Sequence, residues 1–150
     1  MLAVGDTAPD FTLPDELERP LTLRALLDAG PVVLVFYPRD FTPVCTRELC
    51  MVRDVHAELA AAGITVLGIS GDDAASHARF RDERALTFPL LSDADKAACR
   101  AYGVIGPLGF GTRRVTFLID RDGRVADVVN AALRVSAHEA LLKRALASAR

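Results

Sequence analysis

Five consecutive β-forming residues, Val32-Val33-Leu34-Val35-Phe36, lie between Gly30-Pro31 and Pro38. A strand with one face in water alternates apolar and polar side chains. This one does not alternate, so it needs cover on both faces. A chain that contains it must fold in layers, with a sheet between other elements. Ile64-Thr65-Val66-Leu67-Gly68-Ile69-Ser70 has the same character, opened by Gly63 and closed by Gly71. Val115-Thr116-Phe117-Leu118-Ile119 is a third such run. The turn signal Asp120-Arg121-Asp122-Gly123 and a further run, Val125 to Val129, follow it, and together they predict an antiparallel hairpin.

Helical patterns fall between these runs. From Pro43 to about Ala62, Leu49, Val52, His56 and Leu59 recur near one face. Further helices are expected from Asp73 to about Arg84, from Asp95 to Tyr102, and from Ser136, which has capping-box spacing to Glu139. The alternation predicts an α/β sandwich around a mostly parallel central sheet flanked by helices. The first thirty residues, with Pro9, Pro14 and Pro20, read as an N-terminal extension of short strands. Residues 103 to 111 are glycine-rich and read as a mobile loop. The 150 residues show no repeat or linker and suit a single domain over 1–150.

Composition narrows the function. With 51% apolar and 25% charged residues, the chain can build a core and is not a disordered segment. A net charge of −2 without a basic run argues against a nucleic-acid partner. The longest apolar stretch, Pro31 to Tyr37, is too short to span a bilayer. The N-terminus lacks the pattern of a secretory signal, so a cytoplasmic location and no membrane partner are expected. Three cysteines in a reducing compartment are expected to be buried, metal-binding or catalytic rather than a disulfide framework.

The segment that carries chemistry is Pro38-Arg39-Asp40-Phe41-Thr42-Pro43-Val44-Cys45-Thr46-Arg47-Glu48-Leu49-Cys50. Thr42 suits an N-cap and Pro43 the first helical position, which puts Cys45 third in the first turn. Unpaired N–H groups and the positive end of the helix dipole face a group there and favour a thiolate. A thiolate is the nucleophile that attack on a peroxide oxygen requires.

Each of these residues also has a plainer reading. Cys45 could be a small residue at an ordinary helix start, and Cys50 and Cys99 buried apolar-like cysteines. Arg114 could be a surface cation at a strand end, and Glu48 reads as a helix-surface carboxylate. His56 is expected to pack on its helix, and His77 and His138 to be solvated. Asp72-Asp73, Asp93 and Asp95 read as caps and turns. The spacing of Cys45, Cys50 and His56 on one helix does not converge on a metal. Gly109-x-Gly111 lacks the strand–helix context of a nucleotide fingerprint. No metal or cofactor is implied.

Pro38-x-x-x-Thr42-x-x-Cys45 matches, residue for residue, the signature of the peroxiredoxins. With Thr46-x-Glu48-x-Cys50 the chain resembles the Q-type branch, the bacterioferritin comigratory proteins. The likeness continues through Phe36-Tyr37-Pro38, Gly68-Ile69-Ser70, Phe88-Pro89-Leu90-Leu91-Ser92-Asp93, Ala101-Tyr102-Gly103-Val104 and Arg114 to Asp120. Val44 departs from the branch, which usually has glycine there. The resemblance implies a thioredoxin-like fold and a cofactor-free peroxidase acting on hydrogen peroxide and organic hydroperoxides. It makes Cys45 the peroxidatic nucleophile and Cys50 the resolving thiol of an intramolecular, redox-active disulfide. Pro38 would shield the sulfur, Thr42 would hold the peroxide, and Arg114 would supply positive charge. Arg113 leaves that last assignment ambiguous by one position; Arg114 is preferred because it directly precedes Val115-Thr116-Phe117. A thioredoxin- or glutaredoxin-like reductant and a monomer or weak dimer are implied as well. A thioredoxin-like disulfide reductase would need the missing Cys-x-x-Cys. A non-catalytic peroxide sensor or holdase signalling through oxidised Cys45 begins with the same sulfenic acid and stays open.

Overall fold

The computed structural model describes residues 1–149. A short antiparallel hairpin, β1 (Thr12–Pro14) and β2 (Pro20–Thr22), is followed by helix α1 (Leu23–Leu27). The five-stranded sheet is built from β3 (Val32–Phe36), β4 (Thr65–Ser70), β5 (Leu90–Ser92), β6 (Val115–Ile119) and β7 (Val125–Asn130). Its order is β5-β4-β3-β6-β7. Helix α2 (Pro43–Ala61) connects β3 to β4, and α3 (Ala74–Glu83) connects β4 to β5. Helix α4 (Ala97–Ala101) follows β5, and α5 (Val135–Ser148) follows β7.

The β3–β4 and β4–β5 pairs are parallel, and β3–β6 and β6–β7 are antiparallel. Four of the five strands therefore run one way and only β6 is reversed, in keeping with a mostly parallel, thioredoxin-like sheet. β5, too short for its own periodicity, was not among the strands expected from pattern. Gly30 fits the start of β3 because its φ is +151° and a Cβ there would strike the Gly63 carbonyl.

All five residues of β3 are buried, and the pleat divides them between two cores. Val32, Leu34 and Phe36 face Leu23 and Leu27 of α1, Cys99 of α4, and Tyr102. Val33 and Val35 face Leu49, Val52 and Leu59 of α2, Phe80 of α3, and Leu141 and Leu142 of α5.

The expected helix start holds at Asp73, whose carboxylate accepts the Ser76 N–H at 2.8 Å. The helix expected from Asp95 begins later, at Ala97, with Lys96 at the N-cap in a left-handed conformation; Asp95 accepts the Ala97 N–H, and the buried Asp93 carboxylate takes the Ala98 and Cys99 N–H groups. The capping box at Ser136 does not form. Helix α5 starts one residue earlier, with Arg134 at the N-cap and no side-chain cap, so Ser136 lies inside the first turn. Residues 105 and 112 bridge the base of the glycine-rich loop, which holds a 3-10 turn at Pro107–Gly109.

Candidate active site

The site lies where β3 ends. Tyr37 prolongs β3 by donating its N–H to the Ile69 carbonyl, and Pro38 then turns the chain away. Asp40 anchors the loop from beneath. Its side chain accepts the Tyr37 hydroxyl at 2.6 Å, the Ser76 hydroxyl at 2.9 Å and His77 Nδ1 at 2.7 Å, while its N–H donates to Asp72. Burial first, then the Asp40 charge, push the Tyr37 phenol well above its ordinary pKa, so it remains a donor. Asp40, Asp72 and His77 gather like metal ligands. Their facing atoms are already committed to these bonds, and the cluster serves as an anchor for the loop.

Beyond the anchor, Phe41 takes a left-handed backbone (φ +68°) with its ring 5.0 Å from that of Phe80. Thr42 is the N-cap of α2 through its backbone; its hydroxyl donates to the Arg39 carbonyl instead of closing the helix. Pro43 opens the helix, and Cys45 falls at the third position, fully buried. The helix continues without a break through Cys50, which is half-buried, and all three cysteines are free thiols.

The reversed strand brings the cation. Phe36 pairs with Val115 in the β3–β6 register, so the residue before Val115 lies beside the end of β3. That residue is Arg114. Its Nη1 lies 3.3 Å from Cys45 Sγ and donates to Glu48 Oε1 at 2.8 Å, and its Nε donates to the Ala132 carbonyl. Burial works against the guanidinium charge, but the Glu48 carboxylate and the Cys45 sulfur outweigh it and raise the Arg114 pKa. Arg113 instead donates to the Ile105 carbonyl from an exposed position. Pro38 and Arg114 line one small cavity of about 210 Å³, together with Pro107, Thr112, Arg113, Asn130 and Ala132. Arg114 thus links the two: it contacts the buried Cys45 sulfur and lines the cavity beside Pro38. Thr42 caps the turn that carries Cys45, and Cys50 sits more than a turn further along the helix.

Three expectations are corrected here. Glu48 is not a surface carboxylate; it is fully buried against Arg114. Burial raises its pKa, with His138 and Arg114 opposing. His77 and His138 are not solvated, being 0% and 1% exposed. His77 is held between Asp40 and the Leu91 carbonyl. His138 is held among Thr116, the Ala131 carbonyl and Glu48. The signal for Glu48 was its position three residues after Cys45, on the same helix face. His56 packs as expected, bonded to Thr87 at 2.7 Å, and Cys99 is buried.

A model of the AhpC/TSA family matches residues 4–128. The chain is 42% identical over 140 residues to a putative peroxiredoxin of Mycobacterium tuberculosis (strain ATCC 25618 / H37Rv), covering 91% of each. It is 38% identical over 147 residues to peroxiredoxin Bcp of Escherichia coli (strain K12), covering 94% of each. Among solved structures it is similar to peroxidoxin BcpB of Mycobacterium tuberculosis, with a TM-score of 0.92 at 40% identity, covering 100% of this chain and 99% of that one. It is also similar to Xanthomonas campestris peroxiredoxin Q, with a TM-score of 0.84 at 34% identity, covering 93% and 92%.

Proposed function

The chain belongs to the AhpC/TSA family, in its peroxiredoxin Q (Bcp) branch, and is a cysteine-based thiol peroxidase; from that premise we propose that Cys45 is the peroxidatic residue and Cys50 the resolving one. The observation that carries the reading is the single guanidinium nitrogen of Arg114, 3.3 Å from a fully buried sulfur in the first turn of α2.

The Cys45 thiolate attacks the distal oxygen of the hydroperoxide. A sulfur–oxygen bond forms, the oxygen–oxygen bond breaks, and the departing alkoxide or hydroxide takes up a proton to leave as alcohol or water. The sulfur is oxidised to a sulfenic acid and the peroxide is reduced. Arg114 stabilises the negative charge on attacking sulfur and leaving oxygen. The Thr42 hydroxyl orients the peroxide, and Pro38 shields the sulfur from bulk water. The Cys50 thiol then displaces the sulfenic oxygen as water, leaving an intramolecular disulfide. A dithiol donor of thioredoxin or glutaredoxin type supplies the two electrons that restore both thiols.

The protein acts as one peroxiredoxin domain over 1–150, as a monomer or weak dimer in the cytoplasm. Among the described residues, no helix is long and apolar enough to cross a membrane. The test is NADPH consumption with thioredoxin, thioredoxin reductase and hydrogen peroxide. Multiple turnovers that vanish in Cys45→Ser support the reading. One stoichiometric burst, as a peroxide sensor would give, overturns it.

A further inference from the structure

Resting on the assignment of Cys45 above, we infer that His138 is a positioning residue for the peroxidatic site, acting through Glu48 and Arg114.

His138 lies on α5, buried, with its two ring nitrogens in different surroundings. Nε2 is 2.9 Å from the Ala131 carbonyl, which can only accept, so Nε2 carries a proton. Nδ1 faces two oxygens, Thr116 Oγ1 at 2.8 Å and Glu48 Oε2 at 3.4 Å. Glu48 Oε2 is buried and receives no hydrogen bond, whereas Oε1 accepts from Arg114. A proton on Nδ1 would place a positive charge 3.4 Å from this oxygen, which has no hydrogen-bond donor of its own. A buried carboxylate held from one side only carries an uncompensated desolvation cost, and a second cation removes it.

The consequence reaches the sulfur because Arg114 is shared. Its Nη1 contacts both Glu48 and Cys45. Glu48 and a Cys45 thiolate compete for that one nitrogen. With His138 protonated, two anions meet two cations and Arg114 is left free to serve the sulfur. With a neutral group at position 138, Glu48 draws Arg114 to itself and the thiolate loses its counter-charge. The groups facing His138 are Glu48 from α2, Thr116 from β6 and the Ala131 carbonyl after β7; Arg114, just before β6, reaches it through the shared Glu48 carboxylate. Asp127 of β7 is taken by Arg144 at 2.8 Å, further along α5.

The test is a double-mutant cycle on the rate of Cys45 oxidation by hydrogen peroxide, followed from pH 5 to 9. His138→Gln keeps a donor toward Ala131 and carries no charge. It is expected to slow the reaction about tenfold near neutral pH, the scale of one charge-assisted hydrogen bond. It should also change the pH profile of the rate and have no further effect in a Glu48→Gln background. An unchanged rate and profile, or losses that add across the two variants, overturn the inference. If His138→Gln does not fold, the imidazole ¹⁵N shifts of the wild type and Glu48→Gln replace it. Nδ1 protonated in the first and not in the second supports the inference; the same state in both overturns it. Cys45→Ser is measured alongside. Peroxide consumption surviving in that variant sinks the Cys45 assignment itself, whereas an inactive Cys45→Ser beside a wild-type His138→Gln sinks only the role of His138.

Discussion

Nη1 of Arg114 lies 3.3 Å from Sγ of Cys45, and the neighbouring Arg113 is bonded instead to the Ile105 carbonyl. Two adjacent arginines that line the same small cavity therefore make different bonds, and of these two contacts only the one from Arg114 is to the sulfur. Arg114→Ala is expected to slow the reaction with peroxide by about 10²-fold, since it removes the donor where charge develops. Arg113→Ala should change it by less than about threefold, because the charge it removes is exposed and screened. Arg114→Lys keeps a charge beside Glu48 without the planar fork and should fall between them. Stopped-flow oxidation rates, with thiolate absorbance at a fixed pH, rank the three variants. A larger effect at Arg113 would contradict the geometry.

Helix α2 is continuous through Cys45 and Cys50. Five residues of α-helix rise about 7.5 Å and rotate about 140° beyond one turn. A disulfide needs Cα atoms within about 7 Å and converging Cβ vectors. The first turns must therefore open before the two sulfurs can bond, at a cost of several backbone hydrogen bonds of about 1 kcal/mol each. Amide exchange over residues 42 to 55 should speed up in oxidised protein relative to reduced. Equal protection in both forms, with the disulfide confirmed, would refute the unwinding.

If the loop before Cys45 is pinned by Asp40, then Asp40→Asn should loosen it. The amide replaces one acceptor with a donor that faces donors already in place, from Tyr37 on one side or from Ser76 and His77 on the other. A loss of about 2–3 kcal/mol in urea unfolding is expected, with slower peroxide reduction. Wild-type stability in this variant would show that the cluster does not hold the loop.

A second carboxylate gives a pH signature remote from the site. Burial of Asp15 works to raise its pKa, but the Arg19 and Leu17 N–H groups and the Arg19 guanidinium outweigh it and leave it lowered. A folded-state pKa below the unfolded one contributes stability that is present above the unfolded value and fades as pH falls through the folded one. Asp15→Asn should therefore cost about 1 kcal/mol at pH 7, with the gap closing below about pH 4. Urea unfolding of both proteins at pH 7 and pH 3 checks the sign; a gap that widens in acid contradicts it.

The layers were legible because β3 and β4 are apolar without alternation, which only a covered sheet explains. The placement of Cys45 was legible because Thr42 and Pro43 mark a helix start by their own backbone preferences. Glu48, His77 and His138 were misread because residue type was weighed over position. Glu48 follows Cys45 by three and precedes Leu49 and Val52 on the buried stripe. His138 shares its stripe with Leu141, Leu142 and Ala145, and His77 shares one with Phe80. Position alone marked all three as buried. Their partners were not legible, because they come from β6, the active-site loop and the turn after β7, which only the tertiary register brings together.

The central claim, that one chain oxidises Cys45 and resolves it with Cys50, is tested most directly by mapping disulfides in protein treated with one equivalent of hydrogen peroxide. Peptide mass spectrometry under non-reducing conditions should find a Cys45–Cys50 link within the chain and Cys99 as a free thiol. A Cys45–Cys99 link, a bond between two chains, or Cys45 oxidised with Cys50 left as a free thiol would contradict it.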